Sequence, residues 1–398
     1  MISCQKRADR YTLRPMTAVS DMVLSDEACT RIEDRLGRLR EAMRDQGVQS
    51  ILVSDPQDVR YLADCFGHDT RILVTPSQAV LISDRRYEEY LAPWADSGRF
   101  RVAIENRSGQ IRSIGETLAS EDVTTLGVQA SVTTLAAADG LKASLKGVEI
   151  EPVTGMLARL RMRKSPCEIA AIEAAIEVQC VALDDMLSAL RLGMQEQVCA
   201  SHLIHGMRCH GAESEAFEPI VGSGANASVI HHVPGKHPVS PGVLLVDWGA
   251  RVNGLCSDLT RTFFLGPPDA ELENAYHVVA KAQQAAIAAC VPGAMSNTVD
   301  AAARAVIDEA GLGDRFAHGI GHGLGRDVHE QPFMGREGVQ TPLEPGMVVT
   351  IEPGVYLPGV GGVRIEDDIL ITDAAPRVLS AALDSSFEGA CRPIPPQG

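Results

Sequence analysis

Five residues constrain this chain more than any other feature: Asp247, Asp258, His322, Glu352 and Glu366. Four are carboxylates and one is an imidazole, and each stands in a strand-like or glycine-flanked segment. An ionised side chain buried without a partner is very costly, so this set makes no sense as part of an apolar core. It does make sense as a cage whose negative charge is cancelled by two divalent cations. Whatever the fold, it must bring these five residues to one place, and the chemistry they imply is that of a two-metal hydrolase.

The spacing shows how they could meet. Asp247 ends the apolar run VLLVDWGA, Asn253-Gly254 is a strong hairpin turn, and the chain returns as LCSDLTRTFFLG carrying Asp258. Facing arms of that hairpin would bring both carboxylates together. TIEPGVY carries Glu352 and GGVRIEDDILI carries Glu366, with Pro353, Gly354, Pro358, Gly359, Gly361 and Gly362 supplying the turn between them. A single acid of this kind reads as a solvated strand residue; two such pairs in one region do not.

The imidazole comes from HGIGHGLGRDVHEQP, where Gly321 and Gly323 flank His322 and allow a close backbone approach. The run is not read as a phosphate-cradling loop, because no Lys-Ser/Thr follows it and it lies outside a βαβ context. His318 and His329 flank it, and the pair His231-His232 follows SGANASVI.

Composition narrows the class. The 398 residues suffice for two ordinary domains. The net charge of −16 disfavours nucleic acid and anionic membranes as partners. No apolar run approaches the roughly 20 residues of a spanning helix. The first 25 residues lack the continuous apolar stretch of a signal peptide and fit a ragged start, with Met16 or Met22 as the initiator. Ten scattered cysteines without a CxxC pair read as reduced thiols and point to a cytoplasmic location.

Two domains are expected. An amphipathic helix over 27–47, with Ile32, Leu36, Leu39 and Met43 on one face, precedes short strands at 51–53, 71–75, 79–83, 101–104 and 125–128. This alternation with helical stretches predicts an α/β domain over 26–155. No catalytic constellation falls in it; His68 and Arg85-Arg86 read as surface or interface residues. Ser165, Pro166 and Glu168 have the pattern of a capping box opening a long helix. Further helices are expected over 269–291 and 297–310, interleaved with the acid-bearing strand pairs. The second domain, 160–385, is therefore read as α+β, and no internal repeat is visible by eye.

DWGARVNGLCSDLTRT, HGIGHGLGRDVHE, TIEPGVY and GVRIEDD stand in the order in which they occur in the M24 metallopeptidase family, the "pita-bread" fold of methionine aminopeptidase, prolidase, aminopeptidase P and creatinase. The chain resembles that family over nearly all of residues 26–385. The N-terminal domain resembles the creatinase/prolidase N-domain, and Arg364 before Ile365-Glu366 resembles the Xaa-Pro peptidase branch. Creatinase does not keep the full metal set, so the complete set here argues against that activity.

The resemblance implies that Asp247 chelates one metal, that His322 and Glu352 bind the other, and that Asp258 and Glu366 bridge the two. Manganese is the first expectation, with Co, Zn or Fe as alternatives. It further implies a hydroxide attacking the carbonyl before proline, with Glu352 moving the proton and His231 and His329 holding the substrate and its developing oxyanion. Phe217 and Ile220 would pack on the proline ring, Arg364 would contact a substrate carboxylate or carbonyl, and His318 would hold the loop. The substrates implied are short proline-containing peptides and the assembly implied is a homodimer.

Dipeptidase (prolidase) activity is the leading reading. Aminopeptidase P-like activity is the alternative, followed by a hydrolase or lyase acting on a small non-peptide substrate. A non-catalytic binding protein fits poorly, since the whole ligand set is present. Three departures from the family pattern occur: Ile230 where proline is common, Leu255 where tyrosine is common, and Val243 for a frequent aspartate. Ile230 and Leu255 are expected to bear on substrate preference.

Overall fold

The computed structural model describes residues 26–338 and 340–397. The leading segment with Met16, Met22 and Cys4 lies outside the described residues. The chain divides into two compact units, residues 1–161 and 162–398.

In the first unit, the helix Asp26–Asp45 buries Ile32, Leu36, Leu39 and Met43. Strands β1 (Ile51–Val53), β2 (Arg71–Val74), β3 (Ala79–Ser83), β4 (Arg101–Ile104), β5 (Thr125–Gln129) and β6 (Glu149–Val153) form one sheet in the order β4-β3-β2-β1-β5-β6. Only β2 runs antiparallel to its neighbours. Successive strand residues point to opposite faces. Ile51, Val53, Ile72 and Val74 enter one core, while Leu52, Leu73, Val80 and Ile82 enter another. Both faces are covered, which is why these strands read as unbroken apolar runs rather than alternating ones. His68, Arg85 and Arg86 are exposed, and Arg86 pairs with Asp69 and Asp84.

The second unit contains the helix Pro166–Ala189, closed at its start by the expected capping box. The Glu168 carboxylate accepts from the Ser165 amide at 3.1 Å, and Ser165 Oγ accepts from the Glu168 amide. The next helix, Glu196–Cys209, has Gln195 at its N-cap with no side-chain capping bond, so no local signal announces it.

This helix pair recurs as Ala270–Ala289 and Ser296–Glu309. The two connecting loops share one backbone pattern. Gly193 and Gly293 adopt φ of 85° and 82°, the left-handed region that suits glycine. Gly193 N–H donates to Val239 O and Gly293 N–H to Leu343 O, while Val239 N–H returns to Met194 O and Leu343 N–H to Ala294 O. The unit thus holds an internal repeat that inspection of the sequence does not reveal. What recurs is a set of main-chain hydrogen bonds, which constrain side-chain identity only at the glycines.

Each half then supplies strands. The first half gives β7 (Ser214–Glu215), β8 (Ile220–Ser223), β9 (Gly242–Trp248), β10 (Ala250–Val252), β11 (Leu255–Cys256) and β12 (Leu259–Leu265). The second gives β13 (Gly321–Gly323), β14 (Glu330–Met334), β15 (Val348–Ile351), β16 (Gly354–Leu357), β17 (Gly361–Arg364), β18 (Asp367–Leu370) and β19 (Arg377–Val378). With β20 (Cys391–Arg392), the sheets run β20-β12-β9-β8, β11-β10-β7, β14-β13-β15-β18-β19 and β16-β17. β9 is packed on both faces: Leu244 and Val246 enter one core, Val243 and Leu245 the other. Its alternation therefore carries Asp247 on the face of Val243 and Leu245. An α/β N-terminal unit is thus joined to an α+β unit of the pita-bread type.

The cap of the first long helix offers a direct test of this local reading. Ser165→Ala is expected to cost about 1 kcal/mol, measured as a lowered urea midpoint with an unchanged slope.

Candidate metal centre

Strand register alone brings the first two acids together. Asn253 and Gly254 both have positive φ, 50° and 76°, and close a two-residue turn in which Val252 pairs with Leu255. The same antiparallel register pairs Trp248 with Leu259 and Asp247 with Thr260. Asp258, two residues before Thr260, thus lies diagonally across from Asp247 on one face. Gly249 stands between them, where a side chain would collide with the Ser257 carbonyl and the Phe217 ring.

The second pair is opposed still more directly. Ile351 pairs with Asp367 and Gly354 with Arg364, and this register sets Glu352 opposite Glu366. Like charges facing each other across a strand pair are destabilising by themselves. The two hairpins are joined edge to edge, with Glu366 N–H donating to Thr260 O at 3.2 Å and Arg364 N–H to Thr262 Oγ1 at 3.1 Å.

His322 enters from β13. A side chain at Gly321 would strike the Thr350 carbonyl, and one at Gly323 the Gln331 carbonyl, so the flanking glycines are required by close strand packing. The His322 amide donates to Thr350 Oγ1 at 3.1 Å and its Nδ1 bonds Gly323 O at 3.1 Å. This leaves Nε2 toward the acids, 3.6 Å from Asp258 Oδ2 and 3.5 Å from Glu352 Oε1.

Two overlapping donor sets result. His322, Glu352 and Glu366 form one, and Asp247, Asp258 and Glu366 the other, each with its ligand atoms within 4.8 Å of one another. A third grouping adds the exposed His329 to Asp258 and His322. Asp247 Oδ1 is buried and makes no hydrogen bond. A buried, orphaned carboxylate oxygen beside three further acids and a neutral imidazole fits divalent cations, whose preferred donors are oxygen and imidazole nitrogen.

Electrostatics agree. Burial, reinforced by Glu366 and Asp247, pushes Asp258 well above the usual carboxylate range, and burial with Glu352 does the same to Glu366. Burial raises Glu352 from 4.5 to about 8 against the pull of Arg364. Asp247 is also raised by burial and opposed by Arg364. His322 is lowered to about 3 by burial and by His329, which makes it a neutral ligand.

These residues open into a cavity of about 420 Å³ that is also lined by Phe217, Ile220, Ile230, His231, His318, His329 and Arg364. All the residues expected to bind metal, contact substrate or hold the loop therefore line one cavity. Leu255 is not among the lining residues; it is buried in the core, so its departure from the family pattern has no direct contact with the cavity.

The buried Arg364 has its fork occupied within the protein: Nη2 donates to Asp247 Oδ2 at 2.5 Å, Nη1 to Tyr356 Oη at 2.9 Å and Nε to Thr260 Oγ1 at 3.0 Å. Thr260 Oγ1 in turn donates to Glu366 Oε2 at 2.6 Å. His318 Nε2 meets Tyr356 Oη at 2.8 Å, and burial and Arg364 lower His318 to about 4. Thr260 and Tyr356 were not singled out in the sequence, although both stand inside its motifs. Asp300 and Arg304 had no local signal at all. Asp300 accepts from the Ile320 amide, and Arg304 donates to the Phe316 and His318 carbonyls, which pins the loop before His322.

The comparisons with known proteins point the same way. The profile "Metallopeptidase family M24" matches residues 170–373, and "Creatinase/Prolidase N-terminal domain" matches residues 35–163. An Xaa-Pro dipeptidase of Pyrococcus furiosus is 30% identical over 345 residues, 86% of this chain and 96% of that protein. The solved Xaa-Pro dipeptidase from Bacillus anthracis superposes with a TM-score of 0.83 at 32% identity, covering 88% of this chain and 97% of that one. The X-Pro aminopeptidase from Thermotoga maritima gives 0.79 at 28% identity, covering 87% and 99%.

The raised acids and lowered histidines set a pH dependence for the metal-free protein. Neutral buried histidines favour the fold as pH rises to about 6.5. Above that, the native acids still hold protons that the unfolded chain has released, up to about 8 for Glu352, so stability falls as pH rises. The melting temperature of chelated protein is expected to drop between about pH 6.5 and 8, with a divalent metal restoring it most at the alkaline end. A flat chelated profile by scanning fluorimetry would count against the cage.

Proposed function

Because this chain belongs to the M24 metallopeptidase family, we propose that it hydrolyses the peptide bond before proline in dipeptides, using two divalent cations, manganese first among them. The observation that carries the reading is the convergence of all five donor residues on one small cavity with apolar and imidazole groups at its wall. At about 420 Å³ the cavity has room for a short peptide.

Asp247, Asp258, His322, Glu352 and Glu366 hold the ions. When bound, such a pair lowers the pKa of a shared water and polarises a carbonyl. Glu352 takes and returns the proton; it is half-buried where the other three acids are buried, which gives it access to the cavity. His231 and His329 donate to the substrate carbonyl oxygen as its charge grows; both are exposed at the cavity wall. Phe217 and Ile220 form the apolar seat for the proline ring, which a tertiary amide lacking N–H requires for recognition. Arg364 donates to Asp247, opposing its protonation, and to Tyr356, and presents the edge of its guanidinium to the substrate. The free cysteines among the described residues favour a reducing, cytoplasmic setting. No helix among the described residues is long and apolar enough to cross a membrane.

A second reading, an Xaa-Pro aminopeptidase, is favoured by the likeness to the Thermotoga maritima structure. An Xaa-Pro dipeptide and an Xaa-Pro-Yaa tripeptide, offered to manganese-loaded protein, separate the two. Dipeptide cleavage is expected to dominate; dominant tripeptide cleavage selects the aminopeptidase, and cleavage of neither rejects both. Asp258→Asn and His322→Ala are each expected to lower kcat/KM at least 10²-fold and to reduce bound metal, read by elemental analysis. Full turnover with unchanged metal content in either variant would remove that residue from the cage.

A further inference from the structure

His231 lies on a loop outside the sheets. The segment leaves β8 at Ser223, makes a short turn over Gly224–Ser228 and returns to β9 at Gly242. Val229, His231 and Val233 are exposed, so little apolar burial holds residues 228–233, which lie between the buried Ala227 and Val239. A loop with few buried contacts samples open states easily, yet a side chain acting on a reacting carbonyl must be held within a fraction of an ångström.

One buried carboxylate ties this part of the loop at three points. Glu196, the first residue of the helix Glu196–Cys209, is fully buried. Its Oε1 accepts from the Ser223 amide at 2.8 Å and from Asn226 Nδ2 at 3.0 Å, and its Oε2 accepts from His232 Nε2 at 2.8 Å. The helix N-terminus favours the negative charge, and bonds to an ionised acceptor are about twice as strong as neutral ones. Main-chain bonds from the Glu196 amide to His237 O and from Gln197 to Gly235 O, both at 3.0 Å, secure the later part of the loop. Adjacent residues thus divide the work: His232 turns to Glu196, and His231 lines the cavity.

The second half of the repeat has a counterpart. Asp300, on the second helix of its pair and fully buried, accepts from the Ile320 amide and from Arg304 Nε, and Arg304 binds the carbonyls of Phe316 and His318. In both halves a buried acid on the second helix ties down a histidine-bearing loop of the cavity.

We infer that Glu196 and His232 are positioning residues that clamp the loop 223–232 and thereby set His231 against the substrate. The inference rests on the role of His231 in the proposed peptidase reaction. The clamp touches neither the metal ligands nor the cavity itself; of the loop residues it holds, Ile230 and His231 line the cavity, and only His231 brings a polar group to the reacting carbonyl, so its effect on kcat passes through His231.

A double-mutant cycle tests it. His232→Leu keeps the bulk and removes the donor. It is expected to lower kcat about tenfold with little change in KM, metal content or melting temperature. His232→Gln, whose amide can donate to Glu196, is expected to recover most of that loss. In a His231→Ala background, His232→Leu is expected to cost nothing further. Equal losses in both backgrounds, or a silent His232→Leu, would overturn the clamp. A wild-type protein inactive on every Xaa-Pro peptide would instead refute the peptidase reading. In that event amide exchange still decides the clamp: residues 224–233 should exchange faster in His232→Leu while the rest of the unit is unchanged, and unaltered exchange there overturns it.

Discussion

Repulsion between Glu352 and Glu366, set opposite each other by strand register, is the constraint on which the rest of the catalytic unit depends. Arg364 on the same hairpin relieves it only in part, and the register is continuous from Ile351–Asp367 to Gly354–Arg364. Adding Asp247 and Asp258 from the neighbouring hairpin compounds the problem, and Arg364, the only guanidinium lining the cavity among the described residues, is matched to Asp247. One positive charge against four carboxylates leaves an excess that either protons or divalent cations must neutralise. The raised acids describe the first answer and the donor geometry the second. The cage is therefore as much a folding problem as a catalytic device, and metal binding by the native state alone stabilises the fold.

The glycines follow from that arrangement. To set five donors within a few ångströms of each other, strands must approach closely at three places, and at Gly249, Gly321 and Gly323 a Cβ would run into a neighbouring carbonyl. The hydrogen-bonded chain Arg364, Thr260 and Glu366 then fixes where the carboxylate oxygens point. Both halves of the internal repeat contribute one acid pair and one buried helix-borne acid that ties a loop, so the centre is assembled where the two halves meet. Neither half carries enough of it to act alone.

Much of this was legible in the chain. The apolar run ending at Asp247 and the Asn253-Gly254 turn predicted the first hairpin, and with it the meeting of Asp247 and Asp258. The Ser165-Pro166-Glu168 box predicted the start of the long helix, because capping uses side chains adjacent in sequence. The motifs identified the family for the same reason: each ligand sits in a short segment whose glycines are demanded by local backbone approach.

What could not be read there depends on contacts between residues far apart in the chain. Glu196 reaches Ser223, Asn226 and His232, Asp300 reaches Ile320, and Thr260 reaches Glu366; no local pattern encodes such a pairing. The internal repeat was hidden because main-chain bonding tolerates nearly any side chain. Leu255 was expected to bear on substrate preference as a departure from the family pattern, and the packing turns it into the core. The sequence by itself determined which residues make up the candidate centre and roughly how the strands pair, since turn chemistry and apolar runs are local. Only the tertiary structure decided which oxygens converge, which charges remain unmatched and which loops are held, because those depend on the distances that folding creates.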